Sequence, residues 1–165
     1  MSLSGKGKLT TERTLANNNF WPDITVGELT EKYRVPTEYA DEVISTALKV
    51  ALITVNQKLE VAHQAILSLG YNSLENYALA NSNAIDDEET LMILYTHSVC
   101  CYAKAFLLNQ SHTIQRLPTT GNAAKDVLQS DNFWLLQAQL GMDTVLATVL
   151  SMPASDPNFM TVLLL

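Results

Sequence analysis

Apolar residues recur at intervals of three and four through three long segments of the chain, and this spacing predicts a mainly α protein. The longest segment predicts a single helix from Thr37 to Leu69, with one apolar face along its whole length. At about 1.5 Å per residue, that helix would be about 50 Å long. Gly70 follows it directly and is the expected left-handed terminator. We therefore predict a helical bundle with one very long helix.

A short helix is predicted before the long one, from Thr25 to Tyr33. Thr25 and Glu28 have the spacing of a capping box, in which the two side chains bind free backbone amides at the start of a helix. Pro36 ends this helix, because the residue before a proline avoids helical angles.

Two more helices are predicted after a polar loop, over residues 87–109 and 123–150. The acidic run at 86–89 begins the first of them, where the helix dipole favours negative charge. A calcium site is the less favoured alternative, because a calcium loop spaces its ligands at alternate positions and needs a glycine turn. In the second helix, the apolar spacing defines one inward face, which consists of Val127, Leu128, Trp134, Leu135, Ala138, Val145, Leu146 and Val149.

The two ends of the chain differ in composition from the helical part. Residues 1–16 are polar and predict a flexible, extended N-terminal arm, and residues 17–152 predict one helical domain. Residues 153–165 predict an apolar C-terminal tail, with no charged side chain at 160–165. Such a tail adds as a strand to a sheet, binds in a groove, or is a disordered segment that promotes aggregation. We expect it to contact another subunit or a partner.

Candidate catalytic and metal-binding residues are few. His97 and Cys101 lie four positions apart on one helix face, but two ligands from one helix are too few for a zinc site. Glu60 and His63 form a single Glu-x-x-His pair, whereas carboxylate-bridged di-metal sites need two such pairs. The sequence has no Ser-His-Asp order, Gly-rich phosphate loop or paired-His motif. We predict no catalytic residue, no metal and no cofactor.

Charge and composition limit the function further. A net charge of −7, without a patch of Lys and Arg, argues against sequence-specific binding of nucleic acid. The first residues lack the apolar run of a signal peptide, and we find no stretch of about 20 apolar residues that predicts a membrane span. We predict a chain that is made in the cytoplasm and contacts no membrane.

The aromatic pair Phe20 and Trp21 has two interpretations. The pair either fastens the arm onto the bundle, which is the commoner fate of such residues, or inserts into a partner. We take Phe20, Trp21 and Asp23, together with Phe159 and Leu163 of the tail, as the candidate partner-binding residues.

The order of these features resembles the phage head completion protein family, the L protein of temperate contractile-tailed phages. The resemblance covers residues 17–150. It rests on Asn-Phe-Trp-Pro-Asp-Ile at 19–24, Tyr-Thr-His-Ser-Val-Cys at 95–100, Gly70-Tyr71 after the long helix, and the central Trp134 of the last helix. This chain differs from the family in having few charges in its last helix and an apolar tail.

The resemblance implies a structural role and no enzyme activity. Such a protein docks on the portal ring after DNA packaging, closes the head and offers a platform for the tail. Residues 17–152 would then be a helical adaptor domain that assembles as a ring, dodecameric like the portal. The implied partners are the portal protein, a tail-side connector or tail terminator protein, and other copies of the chain. The implied location is the head–tail junction of the virion, after synthesis in the bacterial cytoplasm.

Two alternatives stay open from the sequence, of which an enzyme is the less favoured. The chain could instead be a helical-bundle binding or regulatory protein unrelated to virion assembly. Portal, capsid and terminase genes beside its own gene would favour the phage interpretation.

Overall fold

The computed structural model describes residues 13–35, 39–81, 83–86, 88–114 and 121–150, and at 111–114 and 121–130 it describes the backbone alone. Within these residues the protein is mainly α, as predicted. The helices are α1 (Asp41–Lys58), α2 (Glu60–Ser68), α3 (Leu74–Asn81), α4 (Thr90–Ile114) and α5 (Gly121–Leu150). Short strands form two antiparallel pairs, β1 (Thr14–Leu15) with β2 (Ile24–Thr25) and β3 (Ala84–Ile85) with β4 (Glu88–Glu89).

Helix α4 lies at the centre of the bundle. It packs along α5 and α1, and it also contacts α3, β4 and a π-helical turn at Glu28–Lys32. Tyr95 and Val99 of α4 are fully buried against apolar side chains of the neighbouring helices, among them Ile44, Leu48, Val55, Met142 and Val145. The three-and-four spacing therefore located the core correctly in α1 and α4.

The prediction of one very long helix over residues 37–69 is wrong. Leu59 leaves helical angles, with φ −93° and ψ 10°, and divides the segment into α1 and α2. The backbone N–H of Leu59 still donates to Val55 O at 3.0 Å, and that of His63 donates to Leu59 O at 3.0 Å. Because Leu59 is fully buried and keeps the apolar spacing, periodicity alone could not reveal this break.

The predicted helix terminator is confirmed at Gly70. Its φ of +90° lies in the left-handed region, which glycine adopts without steric cost. The N–H of Gly70 donates to Leu67 O at 2.9 Å, and the N–H of Tyr71 donates to Ile66 O at 3.3 Å. These two bonds make a Schellman motif, which satisfies the last carbonyls of α2.

The capping box near the start of the domain is also confirmed. The Thr25 N–H donates to Glu28 Oε2 at 2.8 Å, and the Glu28 N–H donates to Thr25 Oγ1 at 3.2 Å. The element that follows differs from the prediction, because Glu28–Lys32 is a short π-helical turn and not an α-helix extending to Tyr33.

The acidic run before α4 does not form a helical turn, so that prediction is wrong. Glu88–Glu89 is strand β4, and Asp86 has a φ of 54° in the turn before it. Helix α4 begins at Thr90, whose N–H donates to Asn83 O at 3.0 Å, and whose hydroxyl donates to the same oxygen. The carboxylates therefore belong to a small hairpin that leads into the helix.

The N-terminal segment packs on the body within the predicted arm. Leu15 is buried, and β1 pairs with β2. The N–H of Val26 extends this pairing by donating to Arg13 O at 2.9 Å. Residues 13–15 of the predicted arm therefore contact the folded body. Residues 1–12 of the arm and the predicted tail at 153–165 lie outside the described residues, and the domain bounds of 17–152 stay a prediction.

Two helical segments, Thr90–Gln110 and Asp131–Leu150, are long and apolar enough to cross a membrane, which the sequence analysis did not recognise. Half of the first segment is buried in the folded body, as expected for the central helix of a bundle. The second segment is only 39% buried. The absence of membrane contact stays a prediction.

Candidate functional site

The aromatic pair predicted to bind a partner lies inside the protein. Phe20 is 6% exposed and Trp21 is 3% exposed. The Trp21 ring stacks on Tyr95, with centroids 4.9 Å apart and planes 3° from parallel, and Phe20 meets Trp21 edge to face at 4.8 Å. The pair therefore fastens the N-terminal segment onto the bundle. In this conformation it leaves almost no surface for a partner.

A closed set of hydrogen bonds reinforces that attachment. The Tyr95 hydroxyl donates to Asn56 Oδ1 at 2.6 Å and accepts a bond from Asn17 Nδ2 at 2.8 Å. Asn56 Nδ2 in turn donates to Asn17 Oδ1 at 2.9 Å. Burial raises the pKa of Tyr95, so the hydroxyl keeps its proton for this role. The sequence analysis missed Asn17 and Asn56, although the run of three asparagines at 17–19 was a visible signal.

The other predicted partner-binding residues lie elsewhere. Asp23 is exposed, and its carboxylate accepts the Asn17 N–H at 2.8 Å. Its first role is therefore to hold the loop between β1 and β2. Phe159 and Leu163 lie outside the described residues.

Asp23 also borders an open cleft of about 500 Å³ between the π-helical turn, α3, β4 and α4. Acidic side chains dominate the charged part of its lining, which consists of Asp23, Glu28, Glu75, Glu88, Glu89 and Lys32. Because the cleft is open and negative, it repels anions. A cluster of carboxylates alone does not define a ligand.

A His–Cys pair on α4 is the arrangement in the described residues that most resembles a catalytic pair. His97 Nε2 lies 3.5 Å from Cys101 Sγ, and His97 Nδ1 lies 2.8 Å from the Tyr33 hydroxyl. Burial raises the pKa of the Cys101 thiol to about 12, with Lys104 acting in the opposite sense. The nucleophile of such a pair is the thiolate. Cys101 is therefore a protonated core residue near neutral pH.

The His97 site predicts a dependence of stability on pH. Burial lowers the pKa of His97 below its ordinary value of 6.5, so the unfolded chain binds this proton more readily than the folded one. The contribution of His97 to the free energy of unfolding is therefore fully present above about pH 6.5, and it is lost as the pH decreases below that value. Urea unfolding between pH 5 and 8 should show this slope, and His97→Gln should reduce it. An unchanged slope in the variant would show that another group is responsible.

Metal ligands do not converge in the part of the chain that the structure describes, where no group of three or more His, Cys, Asp and Glu side chains is placed to hold an ion. The predicted Glu60–His63 pair is a surface contact, with His63 Nδ1 3.3 Å from Glu60 Oε2. The absence of a cofactor stays a prediction.

Helix α5 was predicted correctly on most of its inward face, but its exposed apolar residues were not predicted. Leu135, predicted to face inward, is 42% exposed, and Trp134 is half-buried. Ala138, Val145, Leu146 and Val149 are buried, as predicted, and Met142 is buried with them. Val127 and Leu128 lie where the structure describes the backbone alone.

On the opposite side of α5, Phe133, Leu136 and Leu140 are 51%, 50% and 45% exposed. We call these three residues the outer stripe. They are three and four positions apart, so they share one face, and at about 100° per residue that face is opposite the buried positions. Only Asp131 and Asp143 carry charge between residues 131 and 150.

A helix that is apolar on two faces is typical of an element buried on both sides. The core of the bundle covers one face of α5, and the outer stripe remains without cover from the described residues. Exposed apolar patches of this kind mark contacts with other chains. A helical bundle with such a surface is typical of a structural subunit that contacts other chains.

Comparison with known proteins agrees with that class. The family model described as phage head completion protein (GPL) matches residues 15–148, and the chain belongs to this family. It is also similar to a probable head completion/stabilization protein of Haemophilus phage HP1 (strain HP1c1), with 29% identity over 103 residues, which cover 62% of this chain and 67% of that protein. No solved structure matches the chain significantly. The protein is therefore a structural component of a phage head.

Proposed function

We propose that this protein docks on the portal ring at one vertex of the DNA-filled head, closes the head and forms the platform for tail attachment. In this proposal its copies form a dodecameric ring on the portal. The portal protein is the head-side partner, and a tail-side connector or tail terminator protein is the partner on the other face. The protein is made in the bacterial cytoplasm and ends at the head–tail junction.

The observation that carries the proposal is the outer stripe. A head component that acted alone would gain nothing from three half-exposed large apolar side chains on one helix face. A subunit that must pack between a portal and its own neighbours requires such a surface, because apolar burial drives most protein association. The opposite face of α5 is buried in the core at Ala138, Met142 and Val145, so the helix that carries the stripe is anchored to the bundle.

The charge of the protein suits a channel through which DNA passes. The net charge is −7, and the cleft beside Asp23 adds a local negative surface. A ring of acidic subunits would repel the phosphate backbone and would not hold the genome. The alternative of a regulatory bundle unrelated to virion assembly is not supported, because the chain belongs to the head completion family.

The experiment mixes the purified protein with portal rings from the same genome and measures binding by ultracentrifugation and electron microscopy. We expect a ring of added density on one face of the portal. The double variant Leu136→Gln/Leu140→Gln should weaken binding at least tenfold, because it removes apolar burial without changing net charge or helix propensity greatly.

The matched control is Ile53→Gln on α1, a residue that is 58% exposed but does not belong to the stripe. This variant should bind the portal like the unchanged protein. If the unchanged protein fails to bind portal rings, the docking proposal is wrong. If the stripe variant keeps its circular dichroism and binds normally, the stripe is not the contact.

A further inference from the structure

The open cleft beside Asp23 continues into a second cavity. The cleft has a volume of about 500 Å³ and its neighbour one of about 310 Å³, and residues 19–23 line the second cavity. The two cavities share Pro22, Asp23, Glu75 and Met92, so they lie side by side along one surface. We call the two together the acidic groove. No residue of α5 is among those that line it, so the groove is a different surface from the outer stripe.

The carboxylates of the acidic groove are spread along it. The lining of the larger cavity holds five acidic side chains and a single lysine, Lys32. Glu75 and Glu88 are exposed, and within the described residues neither forms an ion pair with a cation of its own chain. Three of these side chains do not converge anywhere in that part of the chain to hold one metal ion. The groove therefore matches several separate cations, as Lys and Arg side chains along a peptide present them.

The acidic groove also has an apolar lining. Leu79 of α3 lines it and is 65% exposed, and Met92 and Ile93 of α4 are half-buried beside it. Ile85 is 63% exposed and lies directly opposite Glu88 in the β3–β4 pair, so the two side chains share a face. Exposed apolar side chains next to carboxylates suit a partner that carries apolar and basic side chains together.

We propose that the acidic groove binds a segment of a partner protein in which Lys or Arg residues stand next to apolar ones. The basic side chains pair with Glu75 and Glu88, and an apolar side chain packs on Leu79. Nucleic acid is excluded as the occupant, because the carboxylates repel its phosphates. This contact does not depend on portal docking by the outer stripe. A subunit with two separate contact surfaces can join two different chains.

The test measures binding of fluorescent eight-residue peptides to the full chain by fluorescence anisotropy at physiological salt. A peptide that alternates Lys and Leu should bind. A peptide that alternates Lys and Ser should bind several-fold more weakly, because it lacks the apolar contact, and one that alternates Glu and Leu should not bind. If the Lys–Leu peptide does not bind the unchanged protein, or if the Lys–Ser peptide binds equally well, the proposal is wrong.

Two charge variants separate the acidic groove from the overall charge of the protein. Glu75→Gln/Glu88→Gln should weaken binding of the Lys–Leu peptide at least about fivefold, the effect of two lost surface ion pairs. The matched control is Glu42→Gln/Glu60→Gln, which changes the net charge equally at side chains that are 82% and 55% exposed and do not line the groove. The control should bind the peptide like the unchanged protein. Equal losses in the two variants would overturn the proposal.

A third variant tests the apolar contact at constant charge. Leu79→Gln should weaken binding of the Lys–Leu peptide about fivefold, because it removes part of an apolar contact. Ile53→Gln, which changes an exposed residue of α1, should have no effect.

A nuclear magnetic resonance titration of the unchanged protein locates the contact without any variant. The Lys–Leu peptide should shift the amide signals of residues 74–79 and 88–93 and leave those of residues 133–140 in place. Shifts at 133–140 without shifts at the groove would place the peptide on the outer stripe and overturn the proposal.

Discussion

Tyr95→Ala should destabilise the protein by about 3–5 kcal/mol, the cost of removing a large aromatic ring from a well-packed core. The Tyr95 ring is fully buried, and Trp21 stacks on it. The change also removes the shared hydrogen-bond partner of Asn17 and Asn56. Since domains are stable by only about 5–15 kcal/mol, this loss would remove a large fraction of the total stability. Urea unfolding followed by circular dichroism measures the loss.

Two comparison variants separate the causes. Tyr95→Phe keeps the stacked ring and removes only the hydroxyl, so it should cost about 1–3 kcal/mol through the two amides left without this partner. Ile53→Ala changes an exposed side chain and should stay within about 0.5 kcal/mol. A loss for Tyr95→Ala no larger than that for Tyr95→Phe would mean that the ring contributes little. The attachment of the N-terminal segment would then depend on its polar contacts.

Gly141→Ala is expected to destabilise the protein by about 1–3 kcal/mol, although alanine favours helix over glycine by about 1 kcal/mol. At Gly141 helix α5 approaches α4 closely. An added Cβ would overlap the Ser98 hydroxyl and lie 3.3 Å from the Leu94 carbonyl oxygen. Ser98 is fully buried, and its hydroxyl already donates to Leu94 O at 2.8 Å. To make room, the hydroxyl must give up that bond or the helices must separate.

The matched control for this prediction is the double change Ser98→Ala/Gly141→Ala. Removing the hydroxyl clears the main obstruction, so the helix preference of alanine should then be recovered. The double variant should be at least as stable as Ser98→Ala alone. If Gly141→Ala is stabilising by itself, the two helices are not in close contact at this position.

The apolar spacing was sufficient to predict a helical bundle and the cores of α1 and α4. It could not show the break at Leu59, because a buried leucine keeps the same period whether or not its backbone is helical. The acidic run before Thr90 was assigned to a helix start from the helix dipole, whereas residues 88–89 form a strand of a hairpin that is too short to show any periodicity. Among the local end signals, the capping box at Thr25 and the terminator at Gly70 were confirmed, and the acidic run was not.

The candidate surface was harder to predict for a related reason. A helix with one apolar face has a defined inward direction, but α5 is apolar on two faces. The sequence analysis therefore placed Leu135 inside and did not recognise Phe133, Leu136 and Leu140 as a separate surface. The shortage of charges in this helix was noticed, and it was the signal of a second contact face. The burial of Trp21 depended on Tyr95, a long-range pairing that spacing cannot reveal.

We propose that this protein completes a DNA-filled phage head and joins it to the tail. The most direct measurement deletes its gene from the phage that encodes it and counts particles in the lysate by electron microscopy. We predict packaged heads and separate tails that do not join, and we predict that adding the purified protein to the lysate restores plaque formation. A lysate of joined, infectious particles at the normal yield without this protein would contradict the claim.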